Sequence, residues 1–82
     1  MIDSAQIKAA RALVGMTQDE IAKATGLSVQ TIKRMETAGT LRSTVANVLE
    51  VQRALEAAGV IFIPENGGGA GVRLAKPKGQ NQ

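Results

Sequence analysis

The sequence predicts a mainly α fold, four helices followed by a short C-terminal β-hairpin or pair of strands, and three observations carry the prediction. Apolar residues recur at helical spacing in successive stretches, with small polar residues at their starts and glycines at most of their ends. The apolar content, 44% of the chain, is mostly Ala, Val, Leu and Ile with Phe62 as the single aromatic, which suits a thin aliphatic core between helices. After Gly59 the pattern changes to two short β-branched runs around a glycine-rich loop.

The elements follow in order. Asp3 can cap a first helix with Gln6 three positions on, a capping-box spacing; Ile7, Ala10, Leu13 and Val14 then make one apolar stripe, and Gly15 ends it. Thr17 followed by Glu20 is a second capping box, opening a short helix from Gln18 to about Thr25 with Ile21, Ala22 and Ala24 at its apolar positions. Gly26 supplies the stop and a tight turn. Ser28 caps a third helix to about Thr37, with Ile32 and Met35 facing inward and Leu27 stapling its start. Ala38, Gly39 and Thr40 read as a loop. A fourth helix, expected to be the longest, starts between Ser43 and Asn47, either of which can cap it, and carries Val48, Val51, Ala54, Leu55 and Ala58 until Gly59. Val60–Ile63 and Val72–Ala75 read as strands and Pro64 to Gly71 as the loop between them. The expected organisation is a helical domain over residues 1–59, a β segment over 60–75 and a flexible polar tail over 76–82.

Composition excludes several function classes. At 82 residues the chain holds one domain, small enough that a partner subunit would add to its core. Without Cys or His, disulfides, thiol chemistry and the commonest metal ligands are gone, and no metal or cofactor is expected. The further lack of Tyr and of paired carboxylates in an evident pocket leaves few general bases or nucleophiles, so no enzymatic activity is expected. The loop Glu65–Gly71 lacks the Lys-Ser/Thr of a phosphate loop and misses the dinucleotide glycine spacing, and no small-molecule ligand is evident. No apolar run approaches the roughly 20 residues that span a bilayer, and the start lacks the apolar region of a signal peptide. No membrane contact and a cytoplasmic location are therefore expected. Ten Lys and Arg against seven Asp and Glu give +3, which suits a polyanionic partner but is common among small solvated domains.

Two short helices joined by a glycine-containing turn, the second opening with small polar residues, form the helix-turn-helix layout that can set its second helix in the major groove of DNA. Projected at about 100° per residue, Gln30, Lys33, Arg34 and Thr37 cluster opposite Ile32 and Met35, with Val29 at the margin. Gln can pair bidentately with adenine, Arg with guanine, and Val can touch a thymine methyl, while Lys33 and the Thr hydroxyls can hold phosphates. A polar helix face is also what any solvated helix has, so the stripe gains meaning from the turn beside it. Gln18, opening its helix, either is solvated or grips a phosphate together with nearby backbone N–H groups.

The run Met16-Thr17-Gln18-Asp19-Glu20-Ile21-Ala22, with Gly26-Leu27-Ser28-Val29-Gln30-Thr31-Ile32-Lys33-Arg34-Met35-Glu36 after it, resembles the Cro/C1-type, or XRE-type, regulators over about residues 3–58. The resemblance implies a four-helix Cro/C1-type helix-turn-helix domain bound to double-stranded DNA. It implies that Val29, Gln30 and Arg34 face base edges. Thr17, Gln18, Thr31 and Lys33, with Thr40, Arg42 and Ser43 from the loop before the fourth helix, then make the phosphate set. The loop lacks the Arg-Pro pair common in that family, and Val29 stands where a polar residue is usual. The stretch from Leu55 to Leu74 is similar to the short tail of many small bacterial members, often repressors or accessory regulators near mobile elements.

A repressor acting by steric occlusion, bound to an inverted-repeat operator as a homodimer, is the function expected. Val60, Ile61, Phe62, Ile63, Val72 and Leu74 are the expected dimer interface, because an isolated hairpin is marginal in water and an exposed apolar edge invites a second copy. Strand exchange or edge pairing would bury Phe62 against the fourth helices; the rival arrangement is a hairpin folded on its own chain. Two other functions compete. A protein-interaction module, anti-activator or antitoxin-like, could use the same scaffold, although the intact reading face argues against it. A DNA-bending accessory factor would need an apolar wedge, and none is evident outside the core.

Overall fold

The computed structural model describes residues 1–76; the expected tail, apart from Lys76, lies outside them. Four helices, α1 (Ser4–Val14), α2 (Gln18–Thr25), α3 (Val29–Ala38) and α4 (Val45–Ala57), precede an antiparallel pair, β1 (Val60–Ile63) and β2 (Gly71–Leu74). A single 3-10 turn, Thr40–Arg42, links α3 to α4.

Local chemistry sets these boundaries. Both expected capping boxes form: Asp3 accepts from the Gln6 N–H while Gln6 accepts from the Asp3 N–H, and Thr17 and Glu20 do the same for α2. Gly15 (φ 69°) and Gly26 (φ 77°) close α1 and α2 in the left-handed conformation, where a Cβ would be strained. Ser28 caps α3 by accepting from the Thr31 N–H. The cap of α4 is a correction: Thr44, rather than Ser43 or Asn47, accepts the N–H of Asn47, which becomes a first-turn residue. Ser43 instead closes the 3-10 turn, its N–H donated to the Thr40 carbonyl. The expected loop at Ala38–Thr40 is also corrected. Ala38 is the last residue of α3, and Thr40 opens the 3-10 turn.

One apolar core joins all elements. Ile7, Ile21, Ile32, Met35, Val48, Val51 and Leu55 are fully buried, with Ile2, Ala10 and Val60 beside them. Ala24 and Ala58, expected on apolar faces, are exposed. The N-terminus is laced to the end of α3 by two hydroxyls: Ser4 donates to the Met35 carbonyl at 2.6 Å and Thr40 to that of Ile2 at 2.7 Å.

The strands pair within the chain, Val60 opposite Leu74 and Phe62 opposite Val72, and the second begins at Gly71, one residue before its expected start. Gln6 pins this hairpin to α1. Its Nε2 donates to the carbonyls of Ile63 and Gly71, the pair at the loop end of the ladder, while its Oε1 serves the cap of α1. Phe62 and Val72 pack against the same core. The hairpin is thus folded onto its own helices.

Candidate nucleic-acid interface

The turn between α2 and α3 is held by three local bonds. The Gly26 N–H donates to the Ala22 carbonyl, the Leu27 N–H to the Thr25 hydroxyl, and the Ser28 cap fixes the first turn of α3. Ile21 from α2 and Ile32 and Met35 from α3 are buried, so the angle between the helices is set by core packing.

That packing leaves one face of α3 outward. Gln30, Lys33, Arg34 and Thr37 are exposed, and Val29 and Thr31 are half-buried at its margin. Neither Lys33 nor Arg34 belongs to an ion pair among the described residues, where Arg11–Glu36 and Arg53–Glu50 are the two pairs found. The two cationic side chains of this exposed face therefore have no acidic partner among the described residues. The Thr37 hydroxyl donates to the Lys33 carbonyl, and that of Thr31 lies 2.9 Å from the Ser28 hydroxyl.

The expected phosphate residues separate into two groups. Thr17 is exposed at the cap of α2, Gln18 is half-buried beside it, and at the end of the 3-10 turn Arg42 is exposed and Ser43 half-buried. Thr40 differs. It is 4% exposed and donates its hydroxyl proton to the Ile2 carbonyl, a bond that anchors the 3-10 turn.

Sequence reasoning missed the ion pair behind this surface. Glu36 is 5% exposed on α3 and receives Arg11 through both oxygens, Nε to Oε2 at 2.7 Å and Nη2 to Oε1 at 2.8 Å. The second terminal nitrogen of Arg11 donates to the Met16 carbonyl, and the Gln18 Nε2 donates to Glu36 Oε1 at 3.2 Å. Burial pushes the Glu36 carboxyl up, but the Arg11 hydrogen bonds and charge, the Gln18 amide and the nearby Lys8 charge outweigh it and hold it below its ordinary value. The Arg11 guanidinium is raised by its hydrogen bonds to Glu36, against the opposing effect of burial.

The expected dimer residues are likewise divided. Val60 is 3% exposed inside its own core, Phe62 and Val72 pack against that core, Ile63 and Leu74 are half-buried, and Ile61 is 37% exposed. The two strands pair with each other within the chain. Among the described residues each strand has one neighbour, so both outer edges of the ladder are without a strand partner there.

Two helices fixed across a left-handed glycine, with the second presenting an exposed basic and amide face, define a helix-turn-helix protein. The helix-turn-helix family model matches residues 7–57, and the chain belongs to this Cro/C1-type (XRE) family of DNA-binding regulators. No curated protein matches the chain. Among the described residues no helix is long and apolar enough to cross a membrane, and no three carboxylates gather into a possible metal site.

Proposed function

We propose that this DNA-binding regulator is a sequence-specific repressor that occludes its operator, with α3 in the major groove and no catalytic step. The observation that carries the reading is the outward face of α3, where Gln30, Lys33 and Arg34 are exposed and the two cations join no ion pair among the described residues. Arg34 and Gln30 have the donor and acceptor geometry to read guanine and adenine, and Val29 can meet a thymine methyl. Thr17, Gln18, Thr31, Lys33, Arg42 and Ser43 position the protein on the backbone, where helix N-termini add their unsatisfied N–H groups.

The protein binds as a homodimer on an inverted repeat, and the hairpin supplies the contact. Edge-to-edge pairing through strands that carry Ile61, Ile63 and Leu74 is the contact that keeps the ladder paired within each chain. A second reading, a protein-interaction module, draws on exposed apolar residues in the 3-10 turn, Leu41 (89% exposed), and on α4, Val45 and Leu49.

Binding of duplexes selected from a random pool separates the assignments. Arg34→Ala is expected to lose about 1–3 kcal/mol on the preferred duplex and to relax preference at one position. Lys33→Ala is expected to weaken every duplex alike and to reduce the salt slope by about one. An Arg34→Ala protein with unchanged affinity and preference would show that α3 does not read the bases.

A further inference from the structure

We infer that Glu36 is a positioning residue for DNA: it aims the Gln18 carboxamide at the phosphate backbone, with Arg11 neutralising its charge. The inference rests on the reading of Gln18 as a phosphate contact and adds the device that prepares it.

Gln18 is the first residue of α2, where the backbone N–H groups of the first turn have no helical acceptor. A glutamine at such a site has several rotatable bonds, and ordering them on binding opposes affinity. Here the side chain is already tied. One amide proton goes to Glu36 Oε1 at 3.2 Å, leaving the second proton of the same NH2 for an acceptor outside the protein.

A carboxylate so close to a phosphate would repel it. Arg11 removes that objection by donating to both oxygens of Glu36, so that the unit beneath Gln18 is a neutral ion pair. The same guanidinium holds the Met16 carbonyl, one residue before the cap of α2, and thereby fixes the backbone from which Gln18 projects. No other side-chain hydrogen bond partner of Gln18 occurs among the described residues.

Glu36 also lies on α3, two positions after Arg34. One buried carboxylate therefore ties the backbone grip to the base-reading helix, and the two are set in register before DNA arrives. A carboxylate serving the fold alone would need only Arg11; the bond to Gln18 points to the second task.

The full-length protein with Gln18→Ala, Glu36→Gln, Glu36→Ala and the Gln18→Ala combinations tests this by a double-mutant cycle. The probes are a duplex selected from a random pool by the wild-type protein and a scrambled duplex, measured where circular dichroism shows each variant folded. Gln18→Ala is expected to weaken both duplexes about tenfold, the worth of one charge-assisted hydrogen bond. Glu36→Ala should remove most of that dependence on Gln18, whereas Glu36→Gln, which keeps an acceptor for the amide, should restore much of it. In the free protein, the Gln18 side-chain amide resonances should move to solvated positions in Glu36→Ala. Additive effects of Gln18→Ala and Glu36→Ala, with unmoved Gln18 resonances, would overturn the positioning role while leaving Gln18 as a phosphate contact. An unchanged affinity in Gln18→Ala would overturn the phosphate contact itself, and the inference with it.

Discussion

Glu36 shows what a single residue can hold together in a domain with so little core. Its carboxylate is out of water, so its charge is tolerable only because Arg11 meets both oxygens and Gln18 a third direction. Removing the guanidinium by Arg11→Ala leaves a buried, uncompensated charge, a change that typically costs about 3–5 kcal/mol. The pH dependence follows from the depressed carboxyl. Its contribution to stability is complete above the ordinary value of 4.5 and is lost as pH falls through the lower folded value. The wild-type protein is expected to lose stability steeply below that pH in urea titrations, and Glu36→Gln to be less stable at neutral pH with a flatter acid limb. An unchanged acid limb in Glu36→Gln would show that this pair is not the group that titrates. Projected along α3, Glu36 sits about 40° from Ile32, inside the apolar arc, so a charged residue in a core position was the available signal for it. Its partner, 25 positions earlier, was not legible, because pairing across elements is decided by how helices pack.

The helices were readable because their ends are encoded within three or four residues. Asp3 with Gln6, Thr17 with Glu20, and Gly15 and Gly26 each satisfy terminal N–H or carbonyl groups locally, so the sequence predicts them without knowledge of the fold. The start of α4 was ambiguous for the same reason: Ser43, Thr44 and Asn47 are all cap formers, and only the preceding 3-10 turn, anchored by Thr40 on Ile2, makes Thr44 the one in register. The double duty of Gln6 was likewise hidden. Its oxygen was legible as a cap, while its nitrogen reaches carbonyls some 60 residues away, Ile63 and Gly71. The turn of the helix-turn-helix unit offers a test at this scale. A Cβ at Gly26 would meet nothing within 4 Å, so any penalty there is one of backbone conformation rather than of space. Gly26→Val is expected to lose about 2 kcal/mol, more than Gly26→Asn, since asparagine tolerates the left-handed region and a β-branched residue does not. Equal thermal midpoints for the two variants would mean that the turn can relax away from its φ of 77°.

At the scale of the molecule, the hairpin is both part of the core and the proposed contact between copies. Truncation after Gly59 would take Val60 from the core and strip Gln6 of its acceptors, so loss of dimer in that variant would confound stability with association. Ile61→Lys is the sharper change, since the side chain is already 37% exposed and a charge at a sheet edge opposes pairing. Sedimentation should show the full-length wild type as a dimer and Ile61→Lys as a monomer with the same helical content; a dimer that survives the substitution would move the interface elsewhere. The face of α3 was legible from its polar stripe, whereas the closure of the hairpin within one chain was not, because the same strand pattern serves pairing within or between copies. Selecting duplexes from a random pool with the full-length protein, and sequencing those retained, decides whether α3 reads sequence in a two-fold arrangement. The expected result is an enriched inverted repeat whose half-sites lie about one helical turn, roughly 34 Å, apart, with enrichment lost in Arg34→Ala. A pool that remains random, or one enriched identically by Arg34→Ala, would contradict it.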